Sequence, residues 1–302
     1  MKDISKTKSK KSLKELLEFG ILNIDKPSGP TSFDISDFVR KTLKPIGVRK
    51  TSHFGTLDPK VTGVLPVALN RACKLTGFFI GEDKEYVGIM RIHEDITLKE
   101  IKKAIKEKFT GIIKQIPPVK SRVKRQERER EVKKFELLEK EDKDILFLAE
   151  VQGGTYIRKL IDDLGKELNI GAHMLELRRT RAGIFEEENK EYPSVNLYDF
   201  EKAVEEAKKG KEELLKKIII PGEIISRLCP VIEIKEKEIQ RLFTGKPIYE
   251  KDILSQGGLG GNSAKKDETI CAFAKNKFIG MYKIVNEKHV FAKAMFVMQP
   301  IK

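Results

Sequence analysis

Apolar residues recur along this chain with two different spacings, which together predict a mixture of helices and strands. Segments with apolar side chains three and four residues apart, or with a Ser/Thr capping box at their start, predict helices over 12–19, 34–43, 97–109, 158–171, 199–217 and 236–243. Short apolar runs bounded by turn residues predict strands over 21–25, 86–92, 145–151, 231–234, 270–274, 278–285 and 291–298.

The order of these elements predicts a large mixed domain followed by a small β-rich one. Residues 1–11 are mostly lysine, serine and threonine and predict a mobile basic arm, which with a short helix occupies residues 1–19. Residues 20–227 mix helices and strands, and glycine and proline mark 47–63 as a shaped loop rather than a regular element. The closely spaced strands of residues 228–302 predict a small β-barrel.

Charge and composition indicate what kind of protein this is and what kind of partner it binds. The 302 residues include 60 lysines and arginines against 46 acidic residues, a formal charge of +14 that favours a polyanionic partner. With 39% hydrophobic residues, the chain can bury a core. Its three cysteines lack CxxC spacing, which argues against a disulfide framework or a zinc site. Since no signal-peptide or membrane-spanning pattern occurs, we expect a soluble cytoplasmic protein.

The first candidate for chemistry is Asp58, in His53-Phe54-Gly55-Thr56-Leu57-Asp58-Pro59-Lys60-Val61-Thr62-Gly63. The proline after Asp58 forces an extended backbone at the aspartate and excludes a helix there. Because the flanking glycines allow tight turns, we expect a stiff loop that presents the carboxylate. The alternative is that Asp-Pro is ordinary turn punctuation, which is a common pattern.

The second candidate is Arg158, in Gly154-Thr155-Tyr156-Ile157-Arg158. If this segment is a strand, Tyr156 and Arg158 share one face, and Arg158 lies at the strand end where a helix begins. An arginine there can clamp the carboxylate of Asp58 with two parallel hydrogen bonds. The alternative is a surface arginine, since arginine side chains are mostly exposed.

A basic run over residues 120–134 is the third candidate. Its first part is purely basic, and Lys120, Arg122, Lys124 and Arg125 are of the right charge to contact phosphates. Further along the run, glutamates alternate with the cations, which favours a solvated face that pairs with itself. Both interpretations of the run remain open.

Together, these segments resemble a known enzyme family in sequence and order. The matching motifs are Asn23 to Ser32, His53 to Gly63, Lys84-Glu85-Tyr86, Gly154 to Arg158, and Leu177 to Gly183. They resemble the TruB-type pseudouridine synthases, over about residues 20–302. Segments such as Val61-Thr62-Gly63 and Gly171-Ala172-His173-Met174 resemble the archaeal branch related to dyskerin, the catalytic subunit of the H/ACA guide-RNA particle.

This resemblance implies an α+β fold. It consists of a pseudouridine synthase fold, with a central mixed, mainly antiparallel sheet and flanking helices, followed by a C-terminal PUA-type β-barrel that binds RNA. The implied reaction is isomerisation of uridine to pseudouridine in rRNA and also in tRNA. The glycosidic bond to C1′ breaks, the uracil turns, and a carbon–carbon bond forms through C5. This chemistry needs no cofactor and no metal.

The resemblance also implies roles for individual residues. Asp58 matches the catalytic aspartate, which acts at C1′ of a flipped uridine either as a nucleophile or by stabilising an oxocarbenium-like sugar. The residues matched to substrate binding are Tyr86 for stacking on the base, Arg158 for pairing with the aspartate, Leu177 for lining the pocket, Lys26 for supporting the loop, and His53 for filling the space of the flipped nucleotide.

The partners implied by the resemblance are a guide RNA and a substrate RNA. A zinc-ribbon-like protein and a small β-barrel protein are implied on the catalytic domain, with a kink-turn-binding protein attached through RNA. One alternative is a stand-alone enzyme acting on a T-loop uridine of tRNA. A non-catalytic RNA scaffold is disfavoured by the intact Asp58, Tyr86 and Arg158. A nucleoside hydrolase is disfavoured because its general acid and activated water need a second carboxylate, and none is matched.

Two departures from the family pattern bear on loop packing. Phe54 stands where a small serine is expected, which adds bulk near the loop of Asp58. Gln152-Gly153 replaces small residues before the third motif. Neither departure changes a residue matched to the chemistry.

Overall fold

The computed structural model describes residues 2–117, 124–255 and 265–299. The α-helices in these ranges are α1 Ile4–Ser9, α2 Leu13–Glu18, α3 Ser32–Leu43, α4 Thr76–Ile80, α5 Leu98–Lys108, α6 Ile157–Glu167, α7 Leu197–Lys208, α8 Glu213–Ile218 and α9 Ile239–Phe243. Short 3-10 helices lie at Lys44–Ile46, Asn70–Leu75, Gly222–Arg227, Glu236–Glu238 and Glu250–Asp252. In the part described, no helix has the length and apolar character needed to cross a membrane.

The strands form two sheets. They are β1 Gly20–Lys26, β2 Thr51–His53, β3 Thr62–Leu69, β4 Lys84–Ile92, β5 Gly111–Gln115, β6 Arg128–Glu141, β7 Asp144–Val151, β8 Ala172–Ala182, β9 Phe185–Glu186, β10 Ile219–Pro221, β11 Val231–Ile234, β12 Ile248–Tyr249, β13 Ile253–Ser255, β14 Thr269–Ala274, β15 Lys277–Glu287 and β16 Val290–Val297. The first ten belong to one sheet and the remaining six to the other.

The larger sheet runs in the order β10–β1–β3–β8–β4–β7–β6–β5, with β2 paired to β3 and β9 paired to β8. Among these strands, only β3 and β8 pair in parallel, and the other pairs are antiparallel. Helices α3, α5, α6 and α7 pack against its strands. The predicted mixed, mainly antiparallel sheet with flanking helices is confirmed.

Two central strands lie where the hydrophobic pattern predicts none. β3 is buried along nearly its whole length, so it lacks the alternation that marks a half-exposed strand. Its first residues, together with β2, also correct the prediction that 47–63 contains no regular element. β8 carries Arg178, Arg179 and Arg181, yet it lies between β3 and β4. Its arginines pair with acidic side chains or backbone carbonyls of neighbouring segments. The hydrophobic pattern does not show that a strand so rich in arginine lies inside the sheet.

The capping boxes predicted at the starts of α2 and α5 are present, each with both reciprocal hydrogen bonds. Two other predictions need correction. The mobile arm predicted over 1–11 is wrong for residues 2–11, because α1 begins after an Asp3 cap and buries Ile4 at 1% exposure. The helix predicted over 199–217 is divided into α7 and α8, and Gly210 between them has φ +87°.

The smaller sheet forms a nearly closed, barrel-like module in the order β12–β16–β15–β14–β11–β13. The strands predicted over 231–234, 270–274, 278–285 and 291–298 correspond to β11, β14, β15 and β16, so the β-barrel prediction is confirmed. The helix predicted over 236–243 begins as the 3-10 turn Glu236–Glu238 before α9.

One apolar cluster joins the N-terminal helix, the large sheet and the barrel. Ile4 and Phe19 belong to the same buried cluster as Phe278, and the Phe19 and Phe278 rings stack with their centroids 5.3 Å apart. At the same junction, the Lys2 ammonium donates to the Glu233 carboxylate of β11. The N-terminal segment therefore connects the two sheets.

Candidate active site

Asp58 lies on the loop that joins two paired strands. Strands β2 and β3 pair antiparallel, with His53 opposite Val67, so residues 54–61 form a loop that leaves the sheet and returns to it. The Val61 N–H donates to the Asp58 carbonyl at 3.0 Å and closes a tight turn. The Asp58 side chain is 49% exposed. The loop 54–61, here called the Asp58 loop, therefore presents its carboxylate outward.

A fully buried serine holds the Asp58 loop from one side. The Ser32 hydroxyl, at the start of α3, accepts a hydrogen bond from the Leu57 N–H at 2.7 Å and donates to the Leu57 carbonyl at 2.9 Å. Both backbone groups of the residue before Asp58 are thereby satisfied. Ser32 belongs to the first family motif, but nothing in the hydrophobic pattern singles it out.

Lys26, the last residue of β1, also holds the Asp58 loop. Its side chain is fully buried, and Nζ donates to the carbonyl oxygens of Pro27, Pro59 and Val61 at 2.9, 3.0 and 2.9 Å. Burial lowers the pKa of Lys26, and the negative charge of Asp58 opposes this change. The contacts with Pro59 and Val61 tie the end of β1 to two residues of the Asp58–Val61 turn.

Arg158 reaches Asp58 from a helix rather than from a strand. β7 ends at Val151 and Arg158 is the second residue of α6, so the strand interpretation of 154–158 is wrong. The Gln115 side chain accepts from the Tyr156 N–H at 3.0 Å and donates to its carbonyl at 3.3 Å, which fixes the start of α6.

The Arg158–Asp58 contact is a hydrogen-bonded ion pair. Nη2 of Arg158 donates to Oδ2 of Asp58, which is a single hydrogen bond where two parallel ones were expected. The side chains are 61% and 49% exposed. An ion pair this exposed contributes at most about 1 kcal/mol to folding. We therefore attribute to Arg158 the orientation of the carboxylate rather than the stability of the fold.

Tyr86 and Leu177 share one face of the large sheet. In the β4–β8 pair, Tyr86 is opposite Arg179 and Gly88 is opposite Leu177. Paired residues of neighbouring strands point to the same side of a sheet. A Cβ at Gly88 would lie 2.8 Å from Cδ1 of Leu177, so this glycine leaves room for the leucine. The residues matched to base stacking and pocket lining are therefore neighbours.

Arg179 is a buried cation on this same face, at 1% exposure. It donates to the carbonyl oxygens of Val64 at 2.8 Å and Gly55 at 3.0 Å, and it interacts electrostatically with the Tyr86 side chain. Burial lowers the pKa of Arg179, and the contact with Tyr86 opposes this change. The sequence reasoning assigned Arg179 no role. The arginines spaced along the fifth motif were the available signal, since a strand between two others must turn some of them inward.

Comparisons with known proteins identify the family of the chain. Residues 40–157 match the model for the TruB family pseudouridylate synthase N-terminal domain, and 158–225 match that for the tRNA pseudouridylate synthase B C-terminal domain. A probable tRNA pseudouridine synthase B of Methanocaldococcus jannaschii is 42% identical over 251 residues, covering 82% of this chain and 72% of that protein. The chain belongs to the TruB family of pseudouridine synthases. It is an RNA isomerase that converts uridine to pseudouridine.

Other relatives and solved structures support the same family. The probable tRNA pseudouridine synthase B of Archaeoglobus fulgidus is 39% identical over 274 residues, covering 90% of this chain and 81% of that protein. A Cbf5–Nop10–Gar1 complex matches with TM-score 0.87 and 34% identity, covering 97% of this chain and 89% of that chain. The archaeal box H/ACA Nop10–Cbf5 complex matches with TM-score 0.83 and 32% identity, covering 97% and 90%.

The two departures from the TruB pattern lie away from the carboxylate of Asp58. Phe54 is 1% exposed and stacks on Phe79 with ring centroids 4.8 Å apart, beside Phe185 at 5.9 Å. Its bulk therefore enters the apolar cluster behind the Asp58 loop. The Gln152 backbone N–H donates to the Glu131 carbonyl at 2.8 Å, and its side chain accepts from the Glu131 N–H at 3.2 Å. Gln152 thus joins the end of β7 to β6.

His53 lies at the end of β2, where the Asp58 loop begins. Its Nε2 is 3.4 Å from the Thr56 hydroxyl, and the ring is half-buried. Burial lowers the pKa of His53, and the positive charge of Arg179 lowers it further. Both effects favour the neutral form of the ring.

The basic run divides as its charge pattern suggests. Lys120 and Arg122 lie outside the described residues, whereas Lys124 and Arg125 are exposed just before β6. The second half of the run enters β6, where Lys133 pairs with Asp83 and other cations also meet acids. That half is solvated as predicted, but these acids lie outside the run, so it pairs with neighbouring segments rather than with itself.

Proposed function

We propose that Asp58 is the catalytic residue and that this chain acts within an H/ACA guide-RNA particle. The observation that carries the first part is an outward-facing carboxylate on a loop held by buried Ser32 and Lys26, with Arg158 bonded to it. A carboxylate so held can approach C1′ of an everted nucleotide with little reorganisation. It acts there as a nucleophile or as the counter-charge to an oxocarbenium-like sugar.

The uridine must leave its helix to reach Asp58. Eversion costs a few kcal/mol, and stacking on Tyr86 returns about 1–3 kcal/mol. Tyr86 and Leu177 are 8% and 7% exposed. Together they form a largely apolar surface on which the uracil turns. Because the two energies nearly balance, a guide that presents the uridine already unpaired would shift the equilibrium toward the bound, everted state.

The guide-dependent part of the proposal rests on likeness to solved particles. Besides the two complexes above, an H/ACA RNP bound to a substrate RNA containing 2′-deoxyuridine matches with TM-score 0.85 and 32% identity. By this likeness, the partners of the chain are a guide RNA, a substrate RNA, a zinc-ribbon-like and a small β-barrel protein on the catalytic domain, and a kink-turn-binding protein held through RNA. The formal charge of +14 suits such partners.

We also propose that the two domains of the chain have different functions. Residues 20–227 form the catalytic domain, and 228–302 form a PUA-type module that binds the guide RNA. The apolar cluster that joins the two sheets supports this, since it lets one RNA contact both parts in fixed register. Lys124 and Arg125 are proposed to contact phosphates, because both are exposed.

The second candidate function is stand-alone modification of tRNA. The names of the curated relatives favour it, since the proteins of both Methanocaldococcus jannaschii and Archaeoglobus fulgidus are called probable tRNA pseudouridine synthase B. Such an enzyme would act on a T-loop uridine without guide or accessory proteins, using the same Asp58. The two functions share one chemistry and differ in what presents the uridine.

One experiment tests both the residue and the context. The chain is incubated with tRNA alone, and separately with an rRNA substrate, guide RNA and accessory proteins, and pseudouridine is measured by mass spectrometry. Asp58→Asn should yield no detectable product in either case and should retain guide-RNA binding. The control Asp162→Asn removes an exposed carboxylate of α6 that pairs with Lys166 and should retain activity. Undiminished product from Asp58→Asn contradicts the assignment, and product only with tRNA alone contradicts guide dependence.

A further inference from the structure

We infer that Arg179 is a positioning residue that fixes the Asp58 loop relative to Tyr86, so that the Asp58 carboxylate and the stacked base face each other. This inference rests on the proposed function, because it concerns the geometry of the same site. Arg179 is opposite Tyr86 on the neighbouring strand, and nothing in its contacts requires it to touch RNA.

The guanidinium of Arg179 bonds both ends of the loop at once. Nη2 donates to the carbonyl of Gly55, the second residue of the loop, at 3.0 Å. Nε donates to the carbonyl of Val64, just past its end, at 2.8 Å. Tyr86 lies opposite Arg179 on β4, and its side chain interacts electrostatically with the guanidinium. One planar group thus spans the entry of the Asp58 loop, its exit, and the residue on which the base stacks.

The backbone of Arg179 adds a steric restraint on the same loop. Gly63 pairs with Arg179 in the parallel β3–β8 contact and has φ +99°. A Cβ at Gly63 would lie 2.2 Å from the Arg179 carbonyl oxygen. β8 therefore contacts the loop exit directly, and a shift of Arg179 moves the loop with it.

The burial of this charge argues for a geometric role. Within the described ranges, the side-chain hydrogen bonds of Arg179 go to backbone carbonyls, and none goes to a carboxylate. Burying an ion in this way costs free energy, and an apolar side chain of similar volume is often as stable or more so. Arginine is needed where several acceptors in fixed directions must be met by one rigid fork, which lysine cannot do.

The groups around Arg179 supply an independent readout of its charge. His53 and Lys84 both face it, and burial lowers the pKa of each, with the Arg179 charge lowering both further. Removal of that charge should therefore raise the pKa of His53. Replacement by lysine keeps a positive charge nearby and should leave the pKa of His53 unchanged. The pair Arg179→Lys and Arg179→Met thus separates geometry from charge.

The test measures the single-turnover rate of pseudouridine formation and the RNA dissociation constant separately, with the full chain and its RNA partners. For Arg179→Lys we expect a loss of about 30- to 100-fold in rate and an RNA affinity within twofold of the wild type. The pKa of His53, followed by NMR and identified with a His53→Gln variant, should stay at its wild-type value in Arg179→Lys and rise in Arg179→Met. Because the lysine variant keeps charge and length, the inference remains testable if Arg179→Met fails to fold.

Two control variants, Arg181→Lys and Asp58→Asn, test whether the effect is specific to Arg179. Arg181→Lys changes an arginine of the same strand that pairs with Glu150 instead of the loop, and it should keep the wild-type rate within threefold. A wild-type rate in Arg179→Lys, or an equal loss in Arg181→Lys, overturns the inference. Asp58→Asn measured in parallel distinguishes the two proposals: activity in that variant refutes the catalytic assignment of Asp58, whereas a rate unaffected by Arg179→Lys refutes only the positioning role.

Discussion

Replacing Ser32 by alanine should loosen the Asp58 loop while leaving the rest of the fold in place. The substitution removes one acceptor and one donor, because the Ser32 hydroxyl bonds both the N–H and the carbonyl of Leu57 at 2.7 and 2.9 Å. Leu57 is 3% exposed and Ser32 fully buried, so water does not readily replace the lost partner. The residue that follows Leu57 is Asp58, so the loss acts directly on the carboxylate.

The magnitude follows from the two lost bonds. A buried N–H left without an acceptor costs about 1–3 kcal/mol, and the lost bond to the carbonyl adds about 1 kcal/mol, so we expect about 3 kcal/mol against the native loop conformation. Since about 1.4 kcal/mol corresponds to a factor of ten, the fraction of loops in the competent conformation falls by up to about 100-fold. We therefore expect kcat to fall by about 10- to 100-fold with RNA affinity nearly unchanged.

The assay is single-turnover pseudouridine formation at saturating enzyme, together with thermal unfolding. The matched control is Ser36→Ala, which removes another buried hydroxyl from the same helix but one that bonds Thr51 rather than the loop. Ser36→Ala should destabilise the fold by about 1 kcal/mol and keep the wild-type rate. A rate within threefold of the wild type for Ser32→Ala, or an equal rate loss in both variants, would refute the reasoning.

Two further predictions concern buried groups beside the loop. Burial lowers the pKa of Lys84 from 10.5 to about 8. Between these pH values the unfolded chain holds a proton that the folded chain lacks, so the free energy of unfolding should rise with pH, by about 2 kcal/mol between pH 8 and 10 relative to Lys84→Met. Urea unfolding at pH 8 and 10 measures this, and a constant difference between the two proteins contradicts it. Phe54→Ala should cost about 3–5 kcal/mol, whereas Phe33→Ala, at 70% exposure, should cost under about 0.5 kcal/mol; equal urea midpoints would show that the Phe54 ring does not support the loop.

Stability and catalysis place different demands on the charged groups of this site. The exposed Arg158–Asp58 pair adds little to folding, yet it sets the direction of the carboxylate. The buried Arg179 and Lys26 carry charges that are costly to bury, and each is surrounded by carbonyl oxygens that belong to the loop or its ends. Burying these cations lowers the stability of the fold, but their hydrogen bonds fix the conformation of the Asp58 loop.

Features that depend on neighbours in the chain could be predicted from the sequence. The helix starts at α2 and α5 follow from hydrogen bonds between residues three apart, and the outward turn at Asp58 follows from the proline beside it. The strands β14, β15 and β16 follow from short apolar runs between turn residues. The family was predicted from motifs in their order and is confirmed, whereas the catalytic role of Asp58 stays a prediction.

Features that depend on distant segments were decided only by the tertiary structure. Asp58 meets Arg158 across 100 residues, and Gly55 meets Arg179 across 124. Periodicity indicates which residues share a face, but it does not indicate which strand lies beside them. The pattern therefore missed β3 and β8, and it placed Arg158 on a strand. An arginine is by default exposed, and only the acceptors brought to Arg179 by the packing of β3, β4 and the Asp58 loop allow that charge to be buried.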